Sequence, residues 1–266
     1  MPDPRLTVED VAVSYRRHPV FEGLSLDIEA ARVTAFCGPN GSGKSTALKA
    51  MRGLLPLTGG QILLDRRPLG GWGPKALARA VAMLGQTPSA PEDMTVHDLI
   101  SLGRYPHRRP FAGLGAEDRD AVQRAARSTE TADLLDRHLG TLSGGQMQRA
   151  WLAMILAQES STVFLDEPTN HLDVAHALST LALVRRMATE GGKTVVIVLH
   201  DLNMAAAIAD RIVLFRGGSI AAQGSVREIL REETIGDVFD IACTVLEHPD
   251  SGLPLVVPRM PGPPPG

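Results

Sequence analysis

The sequence predicts an α/β protein with a mainly parallel sheet covered on both faces. Three observations lead there. From about residue 32 onward, short apolar runs of strand length alternate with helical stretches, the rhythm of a parallel sheet with crossover helices. The glycine-rich octapeptide GPNGSGKS, Gly38 to Ser45, separates one such run from one such helix. A further run, STVFLDEP, ends abruptly in Asp166 and Glu167. Open α/β sheets bind ligands beyond the carboxyl ends of their strands.

Each element has a local reason. Residues 5–30 alternate apolar and polar positions as short strands do, with Leu6, Val8, Val11 and Val13 before SYRRHPVF and then LSLDI. Arg32–Cys37 reads as a strand, Gly38–Gly43 as a loop, and Lys44–Arg52 as a helix stopped by Gly53. Gln61–Asp65 is a further strand, and residues 76–88 hold a short helix and the strand AVAMLGQ. Residues 91–141 are polar and helical in pattern, with Thr95 as an N-cap ahead of Val96, Leu99, Ile100 and Gly103. The α/β rhythm then returns as helix 144–158, strand STVFLD, helix 173–190, strand TVVIVLH, helix 201–210, strand RIVLFRGG and a last helix near 225–233.

Composition narrows the classes. A chain of 266 residues can bury a sizeable core as one large domain or one with an inserted subdomain. Its 27 Lys and Arg balance 30 Asp and Glu, so no global basic field argues for nucleic acid. Cys37 and Cys243 are in no metal-like or redox-like spacing. Cys37, ending an apolar strand, reads as a small buried hydrophobe. The N-terminus lacks the apolar run of a signal peptide. VVIVL (Val195–Leu199) is too short to span a bilayer, so any membrane connection is expected through a partner.

GPNGSGKS fits G-x-x-x-x-G-K-[ST] in the required context of strand before and helix after. Its glycines let successive N–H groups curl around phosphate oxygens, Lys44 brings charge to the β/γ-phosphates, and Ser45 offers a hydroxyl to Mg²⁺. A glycine-rich turn with an exposed lysine is the bland alternative, and the full eight-position match argues against it. Asp166 is placed to hold Mg²⁺ through water, and Glu167 to polarise the attacking water. His200 and Gln86 end apolar strands in the same manner; Gln86 can reach the metal or its water as a neutral oxygen ligand. Tyr15 is suited to stacking on a base, although spacing alone fits an ordinary strand tyrosine nearly as well.

A second anion-binding feature lies about a hundred residues further on. In LSGGQMQRAWLAM, Ser143 and Gln146 have the spacing of a capping box. Met147, Ala150, Trp151, Met154 and Ile155 follow on one apolar stripe. The pair Gly144-Gly145 lowers helix propensity and strips side chains from the helix N-terminus. His171, Asp173 and His176 lie close in sequence, but the histidines are five apart and do not share a helical face. The zinc-protease spacing H-E-x-x-H is absent.

Together these residues resemble the ATP-binding subunits of ABC transporters from about residue 6 to residue 258. Gly38-Pro39-Asn40-Gly41-Ser42-Gly43-Lys44-Ser45, with Thr46, is similar to the Walker A loop, and Thr162–Glu167 to the Walker B strand. Gln86 matches the Q-loop, Leu142–Gln146 the LSGGQ signature, Thr169–Asp173 the D-loop region, and His200 the switch histidine. Tyr15 falls where that family has its adenine-stacking aromatic. The resemblance implies a P-loop NTPase core of ABC type, with an N-terminal antiparallel β subdomain and an inserted α-helical subdomain. It implies one ATPase domain over 5–258. Residues 5–90 and 142–258 would form the core, and 91–141 the helical subdomain running into the signature helix. A disordered tail is expected over 259–266.

It also implies a homodimer, with each ATP held between Walker A of one subunit and Ser143, Gly144, Gly145 and Gln146 of the other, near Asp173. Glu167 would be the general base; Ser45, Gln86 and Asp166 would hold Mg²⁺; His200 would contact the γ-phosphate. SLGRYPHRR (Ser101–Arg109), DEPTNHLDVAH (Asp166–His176) and HPDSGLPLVVP (His248–Pro258) are similar to the ATPase subunits that drive import of iron–siderophore, haem and cobalamin. Such a subunit would sit at the cytoplasmic face of the membrane, with permease subunits and, indirectly, a substrate-binding protein as partners. Read by itself, Tyr105, His107, Arg108 and Arg109 form a basic stretch that suits a solvated loop, and gives little footprint for nucleic acid. Other readings are another importer's ATPase or a soluble ABC ATPase acting on ribosomes or nucleic acid. The first soluble type would normally carry two cassettes, and a chromosome type needs a coiled coil that residues 46–141 leave no room for.

Overall fold

The computed structural model describes residues 4–15, 18–109 and 113–260. The tail expected over 259–266 lies outside the described residues from 261 on. The chain opens with strands β1 (Pro4–Tyr15), β2 (His18–Glu29) and β3 (Val33–Cys37), helix α1 (Lys44–Met51), β4 (Gly59–Leu64) and the short β5 (Arg67–Pro68). Next come α2 (Pro74–Ala80), β6 (Val81–Leu84), α3 (Val96–Leu102), α4 (Ala116–Ser128) and α5 (Gly144–Ala157). These are followed by β7 (Thr162–Asp166), α6 (Val174–Thr189), β8 (Thr194–Val198), α7 (Leu202–Ile208), β9 (Arg211–Arg216) and β10 (Ser219–Ser225). The described chain closes with α8 (Val226–Ile229), α9 (Glu232–Phe239), β11 (Cys243–Glu247) and β12 (Pro254–Pro258). Two compact units result, one of residues up to 66 and from 196 on, the other of residues 67–195.

In the first unit β1 pairs antiparallel with both β2 and β4, the N-terminal antiparallel arrangement the resemblance implied. The expected short strands are two strands of twelve residues each. Leu6, Val8, Val11 and Val13 are all buried, but the strict alternation breaks between Val8 and Val11. There the register shifts and Asp10 turns left-handed (φ 49°). Such a bulge returns Val11 and Val13 to the inner face.

The five residues of β3 are buried on both faces, as a parallel strand covered by other layers requires. This strand runs parallel to β9, and the rings of Phe36 and Phe215 meet at 5.0 Å. Towards the C-terminus the sequence reading needs correction. The last helix, expected near 225–233, is two helices, because the chain leaves helical geometry at Leu230 (ψ 77°) and α9 runs on to Phe239. Strands β10, β11 and β12 were not anticipated. The β11–β12 hairpin is tied down by Asn203 on α7, whose Nδ2 donates to the Val256 carbonyl (3.1 Å) and whose Oδ1 accepts from the Val256 N–H (2.8 Å).

In the second unit β6 and β7 are parallel, and α3 and α4 pack on α5. Thr95 is the N-cap of α3, its hydroxyl accepting from the Asp98 N–H at 3.1 Å. Of the stripe expected on α5, Ala150, Trp151 and Ile155 are buried, whereas Met147 and Met154 are half-buried. Leu152, Ala153 and Ala157 are buried as well. With α3, α4 and β6 packed around it, the second half of α5 is covered on more sides than one stripe describes.

The basic segment after α3 is not simply a solvated loop. Arg104 is buried and donates to Asp118 (2.9 Å), to the Ala157 carbonyl (2.7 Å) and to Glu159 (2.7 Å). His107 Nε2 meets the Gln158 carbonyl at 2.9 Å. Arg79 and Lys75 of α2 donate to the carbonyls of Pro106 (3.0 Å) and Arg108 (2.9 Å). One guanidinium thus joins the start of α4, the end of α5 and the segment 103–108. Burial by itself would raise Asp118 and Glu159. Hydrogen bonds and charge, from Arg104 for Asp118 and from Arg124 and Arg104 for Glu159, outweigh it and hold both carboxyls below their ordinary values.

Removing one partner of a buried ion pair leaves the others uncompensated, so Arg104→Ala is expected to cost about 3 kcal/mol in urea unfolding. A loss within 0.5 kcal/mol, the size of an ordinary surface substitution, would contradict the clamp. The sign with pH follows from the depressed carboxyls. Their contribution is present above the unfolded carboxylate value of about 4 and is lost as pH falls through the lower folded values. Acid unfolding of wild type should therefore show this loss, and Arg104→Ala should show less of it.

Candidate functional site

Strand β3 delivers the chain into the loop Gly38–Gly43, and α1 starts at Lys44. Gly38 is pressed against the end of β9. A Cβ at this position would lie 2.2 Å from the Phe215 carbonyl oxygen, so no other residue fits without moving a strand. Further along, the backbone is left-handed at Gly41 (φ 75°) and Gly43 (φ 103°). Pro39 is half-buried and Asn40 exposed. Lys44, 4% exposed, turns back and donates to the carbonyls of Gly38 (2.8 Å) and Pro39 (2.9 Å), closing the loop as a ring around its own ammonium.

Ser42 Oγ is buried with no hydrogen-bond partner among the described residues, a cost that a polar ligand would remove. Loop N–H groups, a lysine and the hydroxyls of Ser42, Ser45 and Thr46 are a donor set suited to an anion. Cys37 has no exposed surface, as expected. Burial pushes its thiol up to about 12 against the Lys44 charge, so it is an inert wall to the loop. In the same unit His200 is exposed after β8. Asp201 caps α7, accepting from the N–H groups of Asn203 (2.7 Å) and Met204 (2.9 Å). Tyr15, at the end of β1, is 46% exposed.

The carboxylates belong to the second unit. All five residues of β7 are buried, and the strand ends in Asp166 (1% exposed) followed by Glu167 (9% exposed). Glu167 takes a left-handed backbone (φ 54°), which turns its side chain out of the strand's alternation. Its Oε2 accepts from Gln86 Nε2 at 2.6 Å and from Asn170 Nδ2. Gln86 was expected to offer oxygen to a metal or its water; in this structure its amide nitrogen holds Glu167. Asn170 was not singled out in the sequence. Its signal is the turn after the strand, closed by the Asn170 N–H on the Glu167 carbonyl (3.2 Å), which brings the residue three positions on beside the carboxylate.

The signature forms the capping box the sequence predicts. Ser143 Oγ accepts from the Gln146 N–H (3.3 Å), and Gln146 Oε1 from the Ser143 N–H (3.0 Å). Gly144 faces open space, whereas Gly145 lies against His176. Asp173 is the N-cap of α6. Its carboxyl lies below the ordinary range because it accepts from the His176 backbone N–H and then from the His176 ring. Among the described residues no group of three or more His, Cys, Asp and Glu is arranged to hold a metal ion.

A glycine loop closed on a lysine after a buried strand, with a carboxylate pair ending another strand, defines a P-loop nucleotide-binding protein. The family profile of the ABC transporter matches residues 21–170. The chain is 40% identical to the ferric enterobactin transport ATP-binding protein of Escherichia coli (strain K12), over 96% of this chain and 94% of that protein. It is 38% identical to the hemin import ATP-binding protein of Rhodococcus jostii (strain RHA1), over 97% and 90%. A solved inward-facing ABC transporter assigned to the metal-chelate type superposes with a TM-score of 0.85 at 27% identity, covering 97% of this chain and 98% of that one. The dimeric structure of a bacterial ABC transporter cassette gives a TM-score of 0.73 at 25% identity, covering 83% and 98%. The chain belongs to the ABC transporter family, as one of its ATPases.

If Asn170 holds the carboxylate of Glu167, Asn170→Ala should lower the ATPase kcat about ten-fold, the size of one hydrogen bond to a charged group. Nucleotide affinity should be unchanged. Steady-state hydrolysis with nucleotide titration checks both, and an unaltered kcat would remove Asn170 from the site.

Proposed function

We propose that this chain is the ATP-hydrolysing subunit of an importer that takes up a metal chelate through a separate membrane permease. Iron–siderophore is the first choice of cargo, then haem or cobalamin. The observation that carries this reading is the match, along nearly the whole chain, to ATP-binding proteins named for siderophore and hemin transport. The chain would work as a homodimer at the cytoplasmic face of the membrane, with the substrate-binding protein reached through the permease. Among the described residues no helix is long and apolar enough to cross a membrane, in keeping with attachment through the permease. Residues 5–258 would act as one ATPase domain, with 91–141 as its helical subdomain.

In this reading Gly38–Thr46 holds the nucleotide phosphates, Tyr15 its base, and His200 the γ-phosphate. Ser143, Gly144, Gly145 and Gln146 present their donors to ATP held by the other subunit, near Asp173. Such preorganised donors supply most of the stabilisation in phosphoryl transfer. The oxygens of Ser45, Gln86 and Asp166 are hard donors of the kind Mg²⁺ takes, and that ion needs only one or two carboxylates beside the phosphates. When bound, Mg²⁺ would neutralise charge on the phosphates. Glu167, oriented by Gln86 and Asn170, takes the proton of the attacking water as general base.

Loss of a general base typically costs about 10²–10⁴-fold in rate, so Glu167→Gln should nearly abolish turnover while ATP binding persists. Equal turnover in both proteins would refute the assignment. For the importer, ATPase activity should rise when detergent-solubilised permease and chelate-loaded binding protein are added. Stimulation by ribosomes or DNA instead would overturn it.

A further inference from the structure

The cluster His171, Asp173, His176 does not build a metal site, yet His176 occupies a particular place. A Cβ on Gly145 would lie 2.1 Å from His176 Cδ2 and 2.7 Å from both Cγ and Nε2. The buried glycine of the signature therefore rests directly on the imidazole edge. That ring is held in place from its other edge. Asp173 Oδ1 accepts from its Nδ1–H at 2.8 Å and from the His176 backbone N–H at 2.9 Å. The carboxylate thus fixes both the tautomer and the direction of the ring, since a carboxylate oxygen only accepts. Gly144, one residue earlier, has no heavy atom near its missing Cβ. The two signature glycines consequently have different reasons: the first leaves the helix end open, and the second makes room for a histidine.

We propose that His176 is a positioning residue for the ATPase reaction: held by Asp173, it packs against Gly145 and sets where the signature N–H groups stand. Through it the segment after β7 and the N-terminus of α5 are joined by direct contact within one chain. The inference rests on the reading that this turn binds ATP held by a second subunit. His176 does not touch the nucleotide in this scheme, so its removal should leave monomer ATP affinity intact and act on dimerisation and kcat.

The test is a double-mutant cycle on the full chain, with ATP-driven dimerisation, ATPase kcat and KM for ATP as readouts. Gly145→Ala should lower kcat and dimerisation about ten-fold or more, the size expected when contacting residues are forced apart, with KM little changed. Combined with His176→Ala, the same Gly145→Ala change should have little further effect, because the Cβ then has space. His176→Asn keeps a donor for Asp173 but puts its Cγ and amide oxygen where Cγ and Cδ2 of the ring stand, so it should retain the Gly145→Ala defect. A Gly145→Ala defect of equal size with and without the His176→Ala change would overturn the proposal. Ser143→Arg serves as the control for the underlying reading and should stop ATP-driven dimerisation while monomers still bind ATP. Normal dimerisation by Ser143→Arg would instead refute the shared nucleotide site, and the inference with it.

Discussion

The carboxylate of Glu167 is the constraint that organises its surroundings. It follows a strand whose every residue is buried, and a carboxylate in such a place is costly unless it is hydrogen-bonded. Gln86 and Asn170 supply two such bonds to one oxygen. The left-handed backbone at Glu167 is a conformation that persists only when neighbours over-determine it. The turn that closes on Asn170 does so, and it also leads into Asp173, the cap of α6. Strand burial, turn, amide donors and helix start are one connected solution to placing a carboxylate at the end of a buried strand.

A different solution governs the glycine turns of the Walker A loop and the signature. At Gly38 and Gly145 another group occupies the space where a side chain would begin, a main-chain carbonyl in the first case and a histidine ring in the second. Both turns can therefore be rigid without using side chains of their own. Rigidity matters because donors that are already in place lose little on meeting a charge that develops during reaction. Behind the signature, the end of α5 is held by Arg104 together with Asp118 and Glu159. That ties the helix to the segment Gly103–Arg108, a part of the chain similar to metal-chelate importers.

Much of this was legible in the sequence, for identifiable reasons. Walker A, the DE pair and the capping box are local motifs whose geometry follows from residue type and spacing, and Thr95 and Ser143 cap as their side chains dictate. The β11–β12 hairpin was not legible. CTVLE and PLVVP carry too few apolar positions to show a period, and the Asn203 bonds that hold the hairpin come from some fifty residues away. The bulge at Asp10 was hidden because it preserves the apolar face while breaking the count. Arg104, just before the stretch Tyr105–Arg109 that read as a solvated loop, was not singled out, since nothing in SLGRYPHRR reveals that Asp118 and Glu159 converge on it in space.

By itself the sequence determined the α/β class, the phosphate loop and the strand-end carboxylates, because each is written within a few consecutive residues. Only the tertiary structure decided which amides hold Glu167, which cation locks the end of α5, and why Gly145 has no side chain. Asn170 apart, which a local turn brings beside Glu167, those partners lie fourteen to eighty-one residues apart, and contact over such separations is set by packing, which no local pattern encodes.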